Sequence, residues 1–157
     1  MKFLIPSAKQ MSGLSDGKLV ELAPASQAVL AQLVDLSTEE LAKFYDISDA
    51  QAVTEAERWQ ALAAGKAASY PAMDLYDGLM YRQFKPVLKS DKSRDFASQH
   101  VLIATSLYGL IAANALIAPH RLDFMKSFKV NGKSLKAYWK SQYDESISVN
   151  PDEVLVS

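Results

Sequence analysis

The sequence predicts an α/β protein in which short buried strands alternate with amphipathic helices. The first observation is an uncharged apolar run from Val101 to Pro119, with β-branched residues at 101, 103 and 105. This pattern favours a strand, buried on both faces, from His100 to about Ser106; a helix is the alternative that periodicity alone leaves open. The second is an apolar strand over residues 2–5 that stops at Pro6, and the third is a series of helix signals between residues 25 and 65. With 157 residues, 49% of them hydrophobic, the chain suits one compact domain spanning residues 1–157.

Composition excludes several kinds of site. The chain has no cysteine and two histidines, so disulfides, metal sites and a histidine-based triad are not expected, and no cofactor is predicted. The N-terminal apolar segment is too short for a signal peptide, which predicts a cytoplasmic protein. A membrane-spanning helix over residues 101–119 is disfavoured because the run carries Thr105, Ser106 and Asn114, and no second span exists to pack against. No membrane partner is expected.

Two short helices in the first half resemble a helix-hairpin-helix, the unit that grips the nucleic-acid backbone. An amphipathic helix is predicted over residues 25–36. Ser37 and Glu40 then form a capping box for a second helix, and Ser48-Asp49 cap a third that runs toward Gly65. Phosphate-gripping hairpins usually use glycines, but this link has none, and residues 35–58 hold seven acids against two bases. We therefore expect the segment to serve helical packing rather than phosphate binding.

The middle of the chain mixes extended and helical signals. A strand is predicted over residues 72–76, after an extended Ser69–Pro71, and Asp77-Gly78 turns the chain into a helical or irregular piece over residues 79–84. Ser93 or Asp95 is the expected cap of a short turn before the central strand. Leu107-Tyr108-Gly109 ends that strand, so Gly109 should have positive φ or a neighbour that leaves no room for Cβ.

The last third predicts a strand, a turn and a helix. Apolar and polar residues alternate from Leu122 to Val130, Asn131-Gly132 is a turn signal, and Ser134 caps a helix. Residues 154–157 read as a strand that has just begun, so we expect the chain to be the truncated form of a longer protein.

Charge is unevenly distributed along the chain. Residues 1–81 carry a net charge of −5, residues 82–140 a net charge of +8, and residues 141–157 a net charge of −4. The positive third would track phosphates if its lysines share a face; the alternative is an ordinary solvated surface. Ser7 and Lys9, which follow the first strand, are further site candidates, because loops at strand ends carry polar groups that a sheet positions.

Several motifs together resemble the YaaA family of bacterial peroxide-stress proteins. They are Pro6-Ser7-Ala8-Lys9, Asp77 to Tyr81, Leu107-Tyr108-Gly109, Pro119 to Phe124, Gly132-Lys133 and Tyr138-Trp139. Two departures matter. The family's Leu-Arg-Pro after Leu-Tyr-Gly is replaced by Ile111-Ala112-Ala113, and the family's later Asn-Leu-Ala-Ser segment and basic C-terminal region are absent.

The resemblance implies a cytoplasmic α/β protein with a mixed sheet, flanking helices, a helix-hairpin-helix-like segment and a basic cleft. It also implies binding of double-stranded DNA and protection from oxidative damage. Together with the charge pattern, it gives these candidate nucleic-acid-binding residues: Lys9, Tyr81, Arg82, Tyr108, Arg121, Lys126, Lys129 and Lys133. Arg121 is the best phosphate candidate because its planar fork can pair bidentately with an anion; its alternative role is a salt bridge with Asp123 or a neighbouring carboxylate.

Two other functions remain open. One is an enzyme acting on a nucleotide or nucleobase, with Ser7, Lys9, Tyr108 and Arg121 at strand ends, although no nucleophile-base pair is evident. The other, iron sequestration, is disfavoured because the sequence has no cysteine and no close cluster of His, Asp and Glu. If DNA binds the positive segment, Arg121 and Lys129 should contribute to binding, and Lys43 and Arg58 in the acidic hairpin should not.

Overall fold

The structure is a computed structural model that describes residues 1–122, 129–146 and 155–156. Its strands are β1 (Lys2–Pro6), β2 (Lys18–Leu19), β3 (Ala68–Pro71), β4 (Val101–Thr105), β5 (Gly109–Ala112), β6 (Leu116–Ile117), β7 (Lys129–Val130), β8 (Lys133–Ser134) and β9 (Leu155–Val156). Its helices are α1 (Pro24–Ala31), α2 (Thr38–Tyr45), α3 (Asp49–Ala63), α4 (Ala72–Leu75), α5 (Leu79–Phe84), α6 (Asp91–His100) and α7 (Leu135–Ser146). The predicted α/β class, with a mixed sheet and flanking helices, is confirmed.

The main sheet has the strand order β5-β4-β1-β9. β1 runs parallel to β4 and to β9, while β5 returns antiparallel beside β4, which makes the sheet mixed. The predicted central strand is therefore confirmed at Val101–Thr105. Its burial alternates, however: Val101, Ile103 and Thr105 are buried, whereas Leu102 and Ala104 are only half-buried. Because β1 and β4 are parallel, their carboxyl ends meet at one edge of the sheet.

The strand predicted over residues 72–76 is wrong, because the structure has α4 there. The extended segment lies just before it, in β3, which pairs antiparallel with β2 and β6. The backbone N–H groups of Ala72 and Met73 donate to the carbonyls of Ala115 and Ala113, at 2.9 and 2.8 Å. The first turn of α4 is thus held by a distant segment that local patterns do not reveal. The predicted caps Ser93 and Asp95 are also wrong, since Ser90 caps α6.

The two capped helices of the first half are confirmed. Ser37 and Glu40 form the expected capping box, and Ser48 forms a second one with Gln51. The link between α2 and α3 turns at Asp46, which has φ 54° and ψ 56°. An aspartate tolerates this left-handed conformation better than most residues, so the hairpin closes without glycine. α1 ends at Ala31, earlier than the predicted Leu36, and a turn follows it.

The C-terminal elements follow their sequence signals. Asn131 and Gly132 have φ of 51° and 78°, as a two-residue hairpin between β7 and β8 requires. The Ser134 hydroxyl accepts from Ala137 N–H at 3.2 Å at the start of α7. The predicted final strand is present as β9, and the structure shows that it lies beside β1. Most of the predicted strand over residues 122–130 falls outside the described residues.

Buried side chains form two clusters. One joins α1, α2 and α3 to α7, and includes Trp59, Leu107 and Trp139. The other joins β1 and β4 to α4, α5 and α6. Tyr108 packs against both, so the turn after β4 lies where they meet. Among the described residues, no helix is long and apolar enough to cross a membrane.

Candidate functional site

The carboxyl ends of β1 and β4 present the first group of predicted site residues. Ser7 follows β1, and its N–H donates to the Ala104 carbonyl at 3.2 Å. Tyr81, on α5, is 1% exposed, and its hydroxyl donates to the Pro6 carbonyl at 2.6 Å. Tyr108 lies in the turn after β4, where its N–H donates to Thr105 Oγ1 at 2.9 Å. The structure therefore brings Ser7, Tyr81 and Tyr108 to one edge of the sheet.

We call Ser7, Tyr81 and Tyr108, together with a third tyrosine, Tyr76, the strand-end cluster. Sequence reasoning did not single out Tyr76. Tyr76 is 1% exposed, and its hydroxyl has no hydrogen-bond partner within the described part of the chain. Burial raises the pKa of Tyr76 well above its usual range, and the neighbouring Tyr81 and Tyr108 add to the shift. The Ser7 side chain lies near enough to oppose this rise in pKa, yet the pair does not reach hydrogen-bond geometry. Burial also raises the pKa of Tyr108 to about 12, so all three phenols stay protonated at neutral pH.

His120 is a second residue whose position the sequence did not reveal. It is 3% exposed, and its Nδ1 lies 2.8 Å from the Ala118 carbonyl oxygen. A carbonyl only accepts hydrogen bonds, so Nδ1 carries a proton, and in the neutral ring Nε2 is then unprotonated. Burial lowers the pKa of His120 to about 4. Its ring centroid is 5.5 Å from that of Tyr108 and 6.2 Å from that of Trp59.

Gly109 fixes the turn after β4, as predicted. Its φ is +74°, and an added Cβ would lie 2.6 Å from the ring of Trp139. The Trp139 indole N–H donates to the Ser106 carbonyl at 2.6 Å, and the Ser106 hydroxyl donates to the Leu122 carbonyl at 2.6 Å. Helix α7 is therefore anchored directly to the end of β4.

Some of the cations counted in the positive segment are neutralised by acids from the first segment. Arg82 Nε lies 3.4 Å from Asp77 Oδ1, and Arg94 Nη2 lies 2.6 Å from Asp74 Oδ2. Arg82 also donates to Gln10 Oε1 at 3.2 Å. Arg82 thus ties α5 to the loop that follows β1, close to the exposed Lys9. The charge count along the sequence overstated the free positive charge of this region.

Arg121 lies against the helical hairpin rather than in the strand-end cluster. Its guanidinium carbon is 5.8 Å from the centroid of the Tyr45 ring, and its carbonyl accepts from the Tyr45 hydroxyl. Burial raises the pKa of Glu55, while its ion-pair partner Arg58 and the nearby Arg121 oppose that rise. Arg58 and Arg121 therefore both lie near one carboxylate, although only the Arg58 side chain has a described hydrogen bond to it and sequence reasoning separated the two. Asp123, the alternative partner of Arg121, lies outside the described residues.

Lys129 and Lys133 lie on the β7–β8 hairpin, and both are exposed. Lys129 also lines a groove of about 520 Å³ with Lys43, Glu40 and other side chains of α2 and of the link between α1 and α2. Lys43 of the α2–α3 hairpin therefore lies beside the positive segment. Lys126 lies outside the described residues. Two further exposed lysines, Lys136 and Lys140, lie on α7. Sequence reasoning missed them, although their spacing of four residues places them on one side of a helix. We call Lys129, Lys133, Lys136 and Lys140 the lysine strip.

The described residues contain no cluster of three or more His, Cys, Asp or Glu side chains that could hold a metal ion. The predicted site residues thus fall into two groups. Ser7, Tyr81 and Tyr108 form the strand-end cluster, with Lys9 and Arg82 at its border. Arg121 and Lys129 lie beside the α2–α3 hairpin, and Lys133 is exposed on the β7–β8 hairpin.

Comparisons with known proteins place the chain in a family. The family model described as peroxide stress protein YaaA matches residues 1–157. A UPF0246 protein of Streptococcus thermophilus strain CNRZ 1066 is 43% identical over 145 residues, covering 92% of this chain and 59% of its own length. A UPF0246 protein of Streptococcus pneumoniae strain CGSP14 is 43% identical over 158 residues, covering 100% of this chain and 64% of its own length. The chain thus spans about three fifths of the length of these curated relatives. The predicted resemblance is confirmed, and the chain belongs to the YaaA family of peroxide stress proteins.

Proposed function

We propose that this protein binds double-stranded DNA through the lysine strip, and that this binding limits oxidative damage to DNA during peroxide stress. One observation carries the proposal. From residue 129 to residue 142 the sequence holds four lysines and no acidic residue, and all four lysines are exposed. Exposed lysines in this number, with no acidic residue between them in the sequence, suit a polyanion, although Glu40 lies beside Lys129.

Helix α7, which carries two lysines of the strip, is packed firmly on the core. Lys136 and Lys140 share one side of α7 because they are four residues apart, while Leu135, Tyr138 and Trp139 are buried on the other side. The Trp139 indole N–H donates to the Ser106 carbonyl at 2.6 Å, and the Tyr138 hydroxyl donates to the Ala25 carbonyl at 2.5 Å. Lysines on a fixed helix and a tight hairpin lose less freedom on binding than lysines on a mobile loop.

The size of the electrostatic effect follows from the number of lysines. If each lysine neutralises one phosphate, four counterions are displaced, and log K should fall with log salt with a slope of about −3.6. Between 50 and 200 mM salt, affinity should then fall about a hundredfold. The binding should depend little on DNA sequence, because phosphate contacts carry no base information.

A matched pair of double variants tests the assignment. Lys133→Ala with Lys136→Ala should weaken binding to a fluorescein-labelled duplex and lower the salt slope by about two. The control is Lys89→Ala with Lys92→Ala. It removes two exposed lysines near the start of α6, the helix that packs on the core cluster of β1 and β4 and not on that of α7. Fluorescence anisotropy, measured at several salt concentrations, gives the affinity and the salt slope of both double variants. Equal losses from the two double variants would indicate binding by net charge alone and would contradict the proposal.

A second candidate function rests on the strand-end cluster. A buried Tyr76 hydroxyl without a described partner, near Ser7 and Tyr108, suits a small ligand with a hydrogen-bond acceptor, such as a nucleobase. Lys9 lies at the border of this cluster, whereas Arg121 contacts the helical hairpin and is not expected to take part. Isothermal titration with nucleosides and nucleotides tests the idea. Binding that is lost in Tyr76→Phe would support it, and no heat with any of them would remove it.

A further inference from the structure

An apolar groove lies on one face of the main sheet, between α5 and α6. Its volume is about 620 Å³, which is within the usual range of small-molecule sites. Phe3 of β1 and Val101 of β4, which are partners in the parallel register, line it together with Ala97 of α6. The groove is therefore built on regular elements of the core, and it shares no residue with the lysine strip or the strand-end cluster.

The folded chain leaves several apolar side chains of this groove in water. Phe96 on α6 is 55% exposed, Val87 is 65% exposed, and Met80 on α5 is 40% exposed; all three line the groove. The Phe96 ring stacks on His100, with ring centroids 4.4 Å apart, so its position is fixed. Exposed apolar side chains around a concave surface are typical of a binding site, because covering them removes apolar area from water. The exposed wall of the groove is thus already positioned for an apolar ligand.

The polar groups of the groove are concentrated at the N-terminal end of α6. Among the described residues that line the groove, only Ser90, Lys92 and Ser93 are polar. The Ser90 hydroxyl donates to Ser93 Oγ at 3.0 Å, and the Ser93 hydroxyl donates to the Ser90 carbonyl at 2.9 Å, so both hydroxyl protons are used within the cap. Lys92 is exposed, and Asp91, its neighbour in the sequence, does not line the groove. The Lys92 ammonium group is therefore the donor that a ligand in the groove would meet.

This distribution of polar groups selects one class of ligand. Nucleotides, sugars and extended peptides carry polar groups along their whole length, and those groups would find no partners among the apolar side chains. A bilayer surface does not enter a concave groove. A long-chain carboxylate matches the groove, because its hydrocarbon tail covers apolar surface and its single negative charge meets a single lysine.

We propose that this groove binds a free long-chain fatty acid, with the tail against Ile5 and Phe96 and the carboxylate at Lys92. The site goes beyond the proposed function and is independent of DNA binding through the lysine strip, because the two surfaces share no residue. One lysine at one end of an apolar groove fixes the direction in which the ligand enters. The uncharged alcohol of the same chain length should bind through the tail alone.

Displacement of a fluorescent fatty acid tests the proposal. The probe is dansyl-labelled undecanoic acid, and the competitors are palmitate and the uncharged hexadecanol, each kept below the concentration at which it aggregates. Palmitate should displace the probe from one saturable site. Lys92→Ala should weaken palmitate binding about fivefold, as expected for one partly exposed ion pair, and should leave hexadecanol binding unchanged. The matched control is Lys89→Ala, which removes an exposed lysine that does not line the groove and should change neither.

A second variant tests the apolar wall. Phe96→Ser removes a ring that is more than half exposed, so the variant should fold, as thermal unfolding would confirm, and it should weaken palmitate and hexadecanol about tenfold each. No displacement by palmitate, or wild-type palmitate affinity in both Lys92→Ala and Phe96→Ser, would overturn the inference. A dimer that Phe96→Ser dissociates and palmitate does not would assign the groove to a second copy of the chain. Binding to phosphatidylglycerol vesicles that palmitate does not inhibit would assign it to a membrane, and either result would also overturn the inference.

Discussion

Replacing Gly109 by alanine should destabilise the protein through two separate costs. The left-handed backbone, with φ +74°, costs an alanine about 1 to 2 kcal/mol. The new Cβ would also lie 2.6 Å from the Trp139 ring, which is 4% exposed and hydrogen-bonded to Ser106, so it has little room to move. Overpacking of this kind costs about 1 to 3 kcal/mol, for a total of about 2 to 5 kcal/mol.

Gly132→Ala is the matched control. Its φ is +78°, yet an added Cβ would meet nothing within 4 Å, so only the backbone cost of about 1 to 2 kcal/mol applies. Thermal unfolding followed by circular dichroism should show Gly109→Ala lowering Tm by roughly 5 to 20 °C, at about 2 to 4 °C per kcal/mol for a chain of this size. Equal shifts in the two variants would refute the reasoning, because they would mean that Trp139 does not close over Gly109.

Further predictions concern the strand-end cluster and the neighbouring His120. Tyr76→Phe should leave stability unchanged or raise it by about 1 kcal/mol, because it removes a buried hydroxyl that has no described partner; a marked loss in urea unfolding would point to a hidden partner. Tyr81→Phe should instead cost about 1 kcal/mol, because its hydroxyl bonds to Pro6. The pKa of His120 is about 4 when folded and about 6.5 when unfolded, so up to about 3 kcal/mol of stability should be present above pH 6.5 and lost as pH falls toward 4. His120→Gln should flatten that pH dependence, and an unchanged profile would show that His120 is not buried in its neutral form.

Local signals in the sequence identified much of the fold. The capping box at Ser37, the Asn131-Gly132 turn and the β-branched run after Val101 each act within a few residues, and each formed the predicted structure. The need for glycine at position 109 was also visible, because it follows from a turn at the end of a buried strand. The helix at Ala72–Leu75 was missed because its first turn is held by carbonyls about 40 residues away.

The candidate site was less accessible to sequence reasoning. Counting charge by segment separated Arg58 from Arg121 and Lys43 from Lys129, yet folding places each pair together. The same count treated Arg82 and Arg94 as free cations, although Asp77 and Asp74 neutralise them. Charge pairing between distant segments depends on tertiary structure, so no local pattern reports it. Tyr76 and His120 were passed over for the same reason, since only their surroundings distinguish them from ordinary core residues.

The salt dependence of DNA binding tests the central claim most directly. The affinity of the wild-type chain for a duplex of unrelated sequence would be measured by anisotropy from 25 to 200 mM salt, beside a variant with all four residues of the lysine strip changed to alanine. The wild-type slope of log K against log salt should be about −3.6 or steeper, and the variant's slope should be shallower by about 3.6. A variant that keeps the wild-type slope and affinity would contradict the assignment of DNA binding to this surface.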